Sequence, residues 1–262
     1  MFEFSSHAAS GVGTAMNLAR RIELDKAAND GGFEVIEPQS GGTVVLASSD
    51  VEARLRVSAD DAGFLVAMDD AALARELATE GRYESAGPAA FVARQPDRLS
   101  ALIRRVWQLS RALPDAPLKR FEEALAHAGQ DFRSEVEALV RRRIGQTEFR
   151  AGLLDYWQGR CAVTGIAQPE LLRASHIKPW ADCENDAERL DVHNGFLLTA
   201  DWDAAFDAGL VGFDPVGAVL FSPALGEAAR ARLGDGRLRS DRPLTAMHRS
   251  YLAWHSTRIF KA

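Results

Sequence analysis

The sequence feature that most constrains this chain is the segment from residue 173 to residue 207. It opens with a short apolar run that carries a single histidine, His176. A polar stretch leads to Asn194-Gly195, a dipeptide typical of tight turns, and then to a second apolar run. Asp203 and Asp207 follow four residues apart, so a helix would place both carboxylates on one face. The segment therefore predicts two strands and a helix around a metal site.

Each of these residue types fits a chemical role and also a structural one. An imidazole such as His176 can deprotonate water near neutral pH, although a lone histidine among apolar neighbours is often structural. Asp203 and Asp207 offer hard oxygen ligands to a divalent cation, but acids near a helix N-terminus are also favoured by the helix dipole. Trp202 and Phe206 have the same spacing and are expected to pack the helix against the strands.

Charge gives a mixed indication about nucleic acid. The 262-residue chain has a formal net charge of −6 and an isoelectric point near 5.6, which argues against binding through bulk positive charge. Between Arg141 and Lys178, however, seven basic residues face three acids, an excess of four positive charges. This stretch is either a phosphodiester-binding segment or a solvated, arginine-rich helix face.

The cysteines and the hydropathy of the chain limit the class of protein to which it can belong. Cys161 and Cys183 are the only cysteines, and their spacing fits neither a disulfide framework nor a structural zinc cluster. The chain has no run of about 18 apolar residues and no basic, apolar signal segment at its start. We expect a cytoplasmic protein that does not enter a membrane.

The pattern of apolar residues divides the chain into two parts. Short β-type runs at 33–37, 43–47, 53–57 and 64–68 predict a small antiparallel meander, and a strong helix begins near Asp97. Pro114-Asp-Ala-Pro117 is the best linker. We therefore predict an α+β module over residues 1–115, which serves as a specificity module, a scaffold or a dimerisation domain, and a second domain over 118–262.

The order of His176, Asn194 and Asp203 resembles the HNH endonuclease family, with aspartate in place of the final histidine. The resemblance extends from about Gln146 to Phe221 and is closest to the subfamily found in bacterial restriction-type proteins. It implies an α+β fold in which a C-terminal ββα-metal nuclease domain with core 146–221 follows a small α+β N-terminal domain.

The resemblance also implies roles for individual residues. His176 would be the general base, Asn194 would fix the loop and hold the base, and Asp203 would be the metal ligand, with Asp207 as a further candidate ligand. Many HNH enzymes carry aspartate or histidine directly before the base as a second ligand, whereas this chain has Ser175 there. Water and phosphate could complete the coordination shell, or one of three residues could contribute: Asp182, His193 or Asp207.

The remaining expectations concern substrate, cofactor and partners. Arg173 and Lys178 flank the base and are candidate phosphate contacts, and His193 either touches the phosphate backbone or merely flanks the turn. The resemblance implies a Mg²⁺-dependent DNA endonuclease in restriction or phage defence, with Mn²⁺, Ni²⁺ or Zn²⁺ as alternative metals. Double-strand cleavage implies a homodimer or two events. The alternatives are a nucleic-acid-binding module with little or no cleavage, favoured by Ser175 and the acidic charge, and an RNA-directed toxin nuclease.

Overall fold

The computed structural model describes residues 16–128, 135–239 and 241–262, in which helices and sheets are mixed. Contacts between residues divide them into two compact units. The first contains residues 16–75 and 83–107, and the second contains residues 76–82 with the described residues from 108 onward. The last boundary between the two units, after residue 107, falls inside a helix and ahead of the linker that the sequence predicts at Pro114 to Pro117.

The first unit is built on a six-stranded antiparallel sheet. Its strands lie in the order β1-β2-β3-β4-β6-β5 and comprise β1 (Val35–Pro38), β2 (Val44–Ala47), β3 (Leu55–Asp60), β4 (Gly63–Met68), β5 (Glu84–Gly87) and β6 (Ala90–Ala93). The helical segments are α1 (Leu18–Asp30), the first residues of α2 (Ala71–Thr79) and α3 (Pro96–Ala112) as far as residue 107. Alternate strand residues such as Leu55, Val57, Phe64 and Val66 are fully buried and form the core.

Four of these six strands are in the predicted meander, and the hairpin of β5 and β6 is not. Its sequence, Glu84 to Ala93, is rich in glycine, alanine, serine and proline, which have low strand propensity. Pairing of Val92 with Leu65 and of Phe91 with Val66 attaches β6 to β4. Tertiary pairing therefore overrides the local preference.

The second unit contains most of the helices. Its elements, besides the ends of α2 and α3, are α4 (Ala116–Ala128), α5 (Glu135–Tyr156), β7 (Leu172–His176), α6 (Asp186–Leu190), β8 (Gly195–Thr199), α7 (Ala200–Asp207), β9 (Val211–Phe213), β10 (Val219–Phe221), α8 (Glu227–Leu233) and α9 (Ala246–Arg258). Strands β9 and β10 form an antiparallel hairpin after α7.

Strands β7 and β8 form an antiparallel pair whose register runs from Leu172 opposite Thr199 to His176 opposite Gly195. Asn194-Gly195, a dipeptide typical of tight turns, is not a hairpin corner between these strands. Asn194 ends a short 3₁₀ helix, Val192–Asn194, and Gly195 begins β8 in an extended conformation with φ of −160°. The two strands are instead joined by a long connection that contains α6.

Helices α5 and α7 pack on opposite faces of this strand pair. Phe149 of α5 stacks on His176, whereas Ser175, the preceding residue of β7, hydrogen-bonds to Asp207 of α7. Successive strand residues point to opposite faces, so these two contacts define the two sides. Phe196 pairs with Ser175 and lies 5.8 Å from Phe206 of α7, ring centroid to centroid.

Strand β8 is buried along its whole length. Phe196, Leu197 and Leu198 are each 0% exposed, and burial of side chains of this size stabilises a fold by roughly 1.5–3 kcal/mol each. Burial on both faces explains why the sequence of β8 is a continuous apolar run instead of an alternating one. In the described residues, no helix is long and apolar enough to span a membrane.

Candidate active site of the second unit

Helix α7 carries the two predicted acidic ligands. Thr199 precedes the helix in an extended conformation, and its hydroxyl donates to Asp201 Oδ1 at 2.7 Å. The helix ends ahead of Gly209, whose φ is +68°. Over this length Asp203 and Asp207 are one turn apart on the side that faces β7, so the structure brings the two carboxylates together.

Ser175 completes this acidic cluster. Its side chain is 2% exposed, and its hydroxyl donates to Asp207 Oδ1 at 3.4 Å. Partial burial of the carboxyl and the charge of Asp203 together raise the pKa of Asp207 to about 6. Partial burial also raises the pKa of Asp203, against the opposing effects of Ser175 and Arg173. Each carboxylate opposes the ionisation of the other because their charges repel. A cation bound beside them would therefore be stabilised.

His176 lies on the other face of β7, away from this cluster. Its ring stacks on Phe149 with centroids 3.7 Å apart, and Nε2 donates to the backbone oxygen of Arg189 at 2.9 Å. A carbonyl can only accept, so Nε2 carries the proton and the neutral ring keeps its lone pair on Nδ1. Burial lowers the pKa of His176 to about 4, and the charge of Arg142 acts in the same direction.

Asn194 joins the two ends of the connection between β7 and β8. Its Oδ1 accepts from the backbone N–H of Lys178 at 2.8 Å, and its Nδ2 donates to the backbone oxygens of Lys178 and Glu188, each at 3.2 Å. The side chain is 0% exposed. Asn194 therefore fixes the backbone just after His176 and the end of α6, next to the Arg189 carbonyl that holds the imidazole.

Lys178 occupies a different environment from the one expected for a phosphate contact. The residue is 9% exposed, and its ammonium donates to Glu188 Oε1 at 2.8 Å. Trp254 lies beneath the ammonium at 5.9 Å. The charge of Lys178 is thus neutralised inside the unit, and we assign it to holding the connection in place.

His193 is also buried, at 6% exposure. Its Nδ1 lies 2.8 Å from Asp191 Oδ1, and its Nε2 lies 3.6 Å from Glu76 Oε2. Burial alone would lower the pKa of His193, but hydrogen bonds to the two carboxylates outweigh it and raise the pKa to about 9. His193 is therefore an internal cation, and its position does not offer a contact to a phosphate backbone.

Arg173 and Asp182 are exposed. The guanidinium of Arg173 donates to the backbone oxygens of Glu170 and Leu172, each at 3.0 Å, and its charge reaches Asp203. Of the three predicted nucleic-acid contacts, Arg173 is the one that lies at the surface beside the acidic cluster. Within the described residues, no hydrogen bond or ion pair joins Asp182 or His193 to Asp203 or Asp207.

Residues 161–214 match the HNH endonuclease family. This HNH segment includes His176, Asn194, Asp203 and Asp207, so the resemblance that the sequence predicts is confirmed for this part of the chain. The match indicates a nuclease, and HNH nucleases use a divalent metal ion. No curated protein matches the chain.

Sequence reasoning missed three contacts of the HNH segment. Glu188 pairs with Lys178, the backbone of Arg189 holds His176, and Phe149 covers the imidazole. One of them had a signal in the sequence, because Asn185 and Glu188 have the spacing of a helix N-cap and its third residue, and Asn185 does accept from the Glu188 backbone. The other two depend on distant packing.

Proposed function

We propose that this protein is a metal-dependent HNH endonuclease that hydrolyses phosphodiester bonds in DNA. The observation that supports the proposal is the strand pair β7–β8 with α7 against it, where Asp203, Asp207 and Ser175 meet and His176 is the next residue of the strand. We take this unit to be a ββα-metal arrangement. The proposal takes Asp203 and Asp207 as metal ligands on one face of β7 and His176, the next residue after Ser175, as the base on its other face.

The acidic cluster fits a hard divalent cation. Its donors are the carboxylates of Asp203 and Asp207 and the hydroxyl of Ser175. The cluster thus offers two carboxylates, and the described residues contain no group of three or more His, Cys, Asp or Glu side chains that could hold a metal. Mg²⁺ binds through one or two carboxylates and keeps several waters, whereas Zn²⁺ prefers nitrogen and sulfur. The donor set therefore favours Mg²⁺ or Mn²⁺ over Zn²⁺ or Ni²⁺. A cation held there supplies Lewis-acid stabilisation of the charge that develops on the phosphate and the departing oxygen.

His176 supplies the base in this proposal. Its neutral ring carries a free Nδ1 lone pair because Nε2–H is committed to the Arg189 carbonyl. Nδ1 accepts the proton of the attacking water, and the Arg189 carbonyl stabilises the imidazolium that results. Asn194 positions both ends of the connection that provides that carbonyl.

Substrate binding rests on Arg173. Arg173 is exposed beside Asp203, where its guanidinium can pair with a phosphate oxygen. We further propose DNA, in restriction or phage defence, from the resemblance of the HNH segment to restriction-type proteins. Cutting both strands would need a homodimer or two successive events.

Cleavage of plasmid DNA tests the proposal. Unmodified and cytosine-modified plasmid is incubated with Mg²⁺, Mn²⁺, Ni²⁺ or Zn²⁺, with single-stranded RNA in parallel. We expect nicking that requires Mg²⁺ or Mn²⁺ and falls about 10²–10⁴-fold in His176→Ala, as for loss of a general base. Asp203→Ala should abolish metal-dependent cleavage, whereas Asp235→Ala, at an aspartate 95% exposed, should cleave like the wild type.

The same assay separates the alternatives. Cleavage of RNA but not DNA would replace the substrate with RNA, the toxin-type activity. Binding of nucleic acid without cleavage under any metal would favour a binding module. Metal-dependent cleavage that survives His176→Ala would overturn the assignment of the base.

A further inference from the structure

A cavity of about 260 Å³ lies in the second unit beyond the HNH segment. Its walls come from the turn between β9 and β10, from the residues that precede α9 and from the first turn of α9. Four of the residues that line it are arginines: Arg237, Arg239, Arg242 and Arg249. We call it the arginine cavity.

The charge of this cavity is only partly neutralised. Arg239 pairs with Asp241, and Arg242 pairs with Glu76 at 3.0 Å and with Glu80. Arg237 and Arg249 instead donate to the backbone oxygens of Val216 at 3.3 Å and of Leu244 at 2.7 Å, and neither forms an ion pair in the described residues. No acidic residue lines the cavity. Two positive charges thus remain without a carboxylate in a protein of net negative charge.

Two guanidinium N–H groups at the cavity are buried without an acceptor in the described part of the chain. They are Nη1 of Arg239 and Nε of Arg242, and Arg242 is 5% exposed. Buried donors in folded proteins nearly always have partners, because an unpaired one costs about 1–3 kcal/mol. The uncompensated charges of Arg237 and Arg249, in a cavity that no acidic residue lines, indicate an anionic ligand.

The lining and the volume of the cavity indicate which class of anion it would bind. Guanidinium groups match phosphate oxygens with paired hydrogen bonds. Val216, Leu238 and Leu244 add an apolar wall that suits a sugar or a base. The volume is just below the usual range for pockets of small ligands, roughly 300–1,000 Å³, so the cavity itself holds no more than one nucleotide unit.

We propose that the arginine cavity is a second phosphate-binding site, which takes a nucleotide phosphate either free or within a nucleic-acid strand. It shares no residue with the acidic cluster or with His176. Binding here can therefore be measured without cleavage, and its failure is distinct from failure of the nuclease proposal.

Binding by the full chain in EDTA tests this site. Inorganic phosphate, a deoxynucleoside 5′-monophosphate and a short DNA duplex are titrated separately into the wild type, into Arg237→Gln/Arg249→Gln, and into Arg258→Gln. Arg258 is the matched control because it is an exposed arginine on the same helix as Arg249, outside the cavity. Melting temperatures establish that each variant is folded.

We expect the double variant to bind at least one of these probes about tenfold more weakly, while Arg258→Gln binds like the wild type. Loss confined to the mononucleotide or phosphate identifies a free ligand. Loss of duplex affinity, with a salt dependence weaker by roughly one unit of slope per phosphate contact, identifies a strand. Equal binding by all three proteins, or no binding of any probe by the wild type, would overturn the proposal.

Discussion

At the scale of single residues, the acidic cluster of α7 is held at a cost to stability. Because the pKa of Asp207 is raised to about 6, the folded state binds this proton more tightly than the unfolded state does. Ionising Asp207 therefore lowers the stability of the fold as the pH rises from its ordinary value toward 6, and the loss persists above it. A bound cation would offset this loss.

We therefore predict that Asp207→Asn stabilises the metal-free protein at pH 7 while weakening cleavage. The gain should be on the order of 1 kcal/mol, since solvent around this exposed residue screens much of the effect. Urea unfolding in EDTA at pH 7 and at pH 4.5 measures it, and the difference between variant and wild type should shrink at the lower pH. Mg²⁺ should raise the stability of the wild type more than that of the variant. A variant less stable than the wild type at pH 7 in EDTA would contradict this reading.

Ser175 lowers the pKa of Asp207, against the larger effects of burial and of the Asp203 charge. Its hydroxyl bonds to Asp207 and lowers the pKa of that carboxyl below what burial alone would give. Ser175→Ala should move the acid limb of the pH–rate profile, near 6 in the wild type, upward by a few tenths to about one unit. At pH 8 with saturating Mg²⁺ the rate should change little.

The control for this profile is Ser250→Ala, at an exposed serine of α9, which should leave the limb in place. If the acid limb of the pH–rate profile stays at the same pH in Ser175→Ala, then Asp207 does not control that limb.

Spacing in the sequence was enough to pair Asp203 with Asp207, because four residues on a helix fix a common face. It was not enough for Lys178 and His193. Their partners are Glu188 and Glu76, and Glu76 is more than a hundred residues away from His193 in the chain. Whether a basic side chain pairs with an internal carboxylate depends on residues that are distant in the chain. The local sequence pattern does not contain this information.

At the scale of elements, the close approach of α5 to β8 explains the glycine after Asn194. A Cβ at Gly195 would lie 2.4 Å from Phe149 Cζ and 3.0 Å from Leu153 Cδ1. The sequence assigned this glycine to a turn, but its extended φ needs no glycine, and the requirement is space. This need for space cannot be predicted from the sequence alone, because it depends on the packing of α5 against the strand.

Gly195→Ala should therefore destabilise the second unit by about 1–3 kcal/mol, as overpacking of a core does. It should also displace Phe149 from His176 and lower the cleavage rate. Gly226→Ala is the matched control, since a Cβ there meets nothing within 4 Å, and it should cost less than about 1 kcal/mol. Chemical denaturation and the plasmid assay measure both effects, and equal stability of the two variants would argue against the packing explanation.

At the scale of the whole molecule, a buried ionic network connects distant parts of the sequence within the second unit. Arg242 pairs with Glu76 and Glu80, Tyr156 donates to Glu76 at 2.6 Å, and His193 lies between Glu76 and Asp191. Glu76 lies in the last turns of α2 and Glu80 directly follows that helix; residues 76–82 belong to this unit although they precede α3 in the chain. The predicted split at residues 115–118 could not include them, because Tyr156, His193 and Arg242 are 80 or more residues away along the chain.

The network makes stability depend on pH in the alkaline range. The pKa of His193 is raised to about 9, so its contribution is complete below its ordinary pKa of about 6.5 and is lost as the pH rises through 9. The loss should be on the order of 3 kcal/mol. His193→Gln should be less stable at pH 6.5 and should show a flatter profile between pH 6.5 and 9.5 in urea unfolding. His127→Gln, at an exposed histidine of α4, should keep the wild-type profile.

The network also predicts that residues 118–262 do not form a stable domain alone. Removal of residues 1–117 takes away Glu76 and Glu80. Arg242 is then buried with an unpaired charge, while His193 keeps Asp191 as a partner, and breaking a single buried pair costs about 3–5 kcal/mol. Circular dichroism and urea unfolding of the truncated chain should show a fold that is lost or strongly destabilised. The full-length variant Glu76→Gln/Glu80→Gln separates this cause from other effects of truncation, because it removes only the two charges and should lose several kcal/mol. A truncated chain that unfolds cooperatively with the wild-type midpoint would mean that the end of α2 is not needed to hold the nuclease unit together.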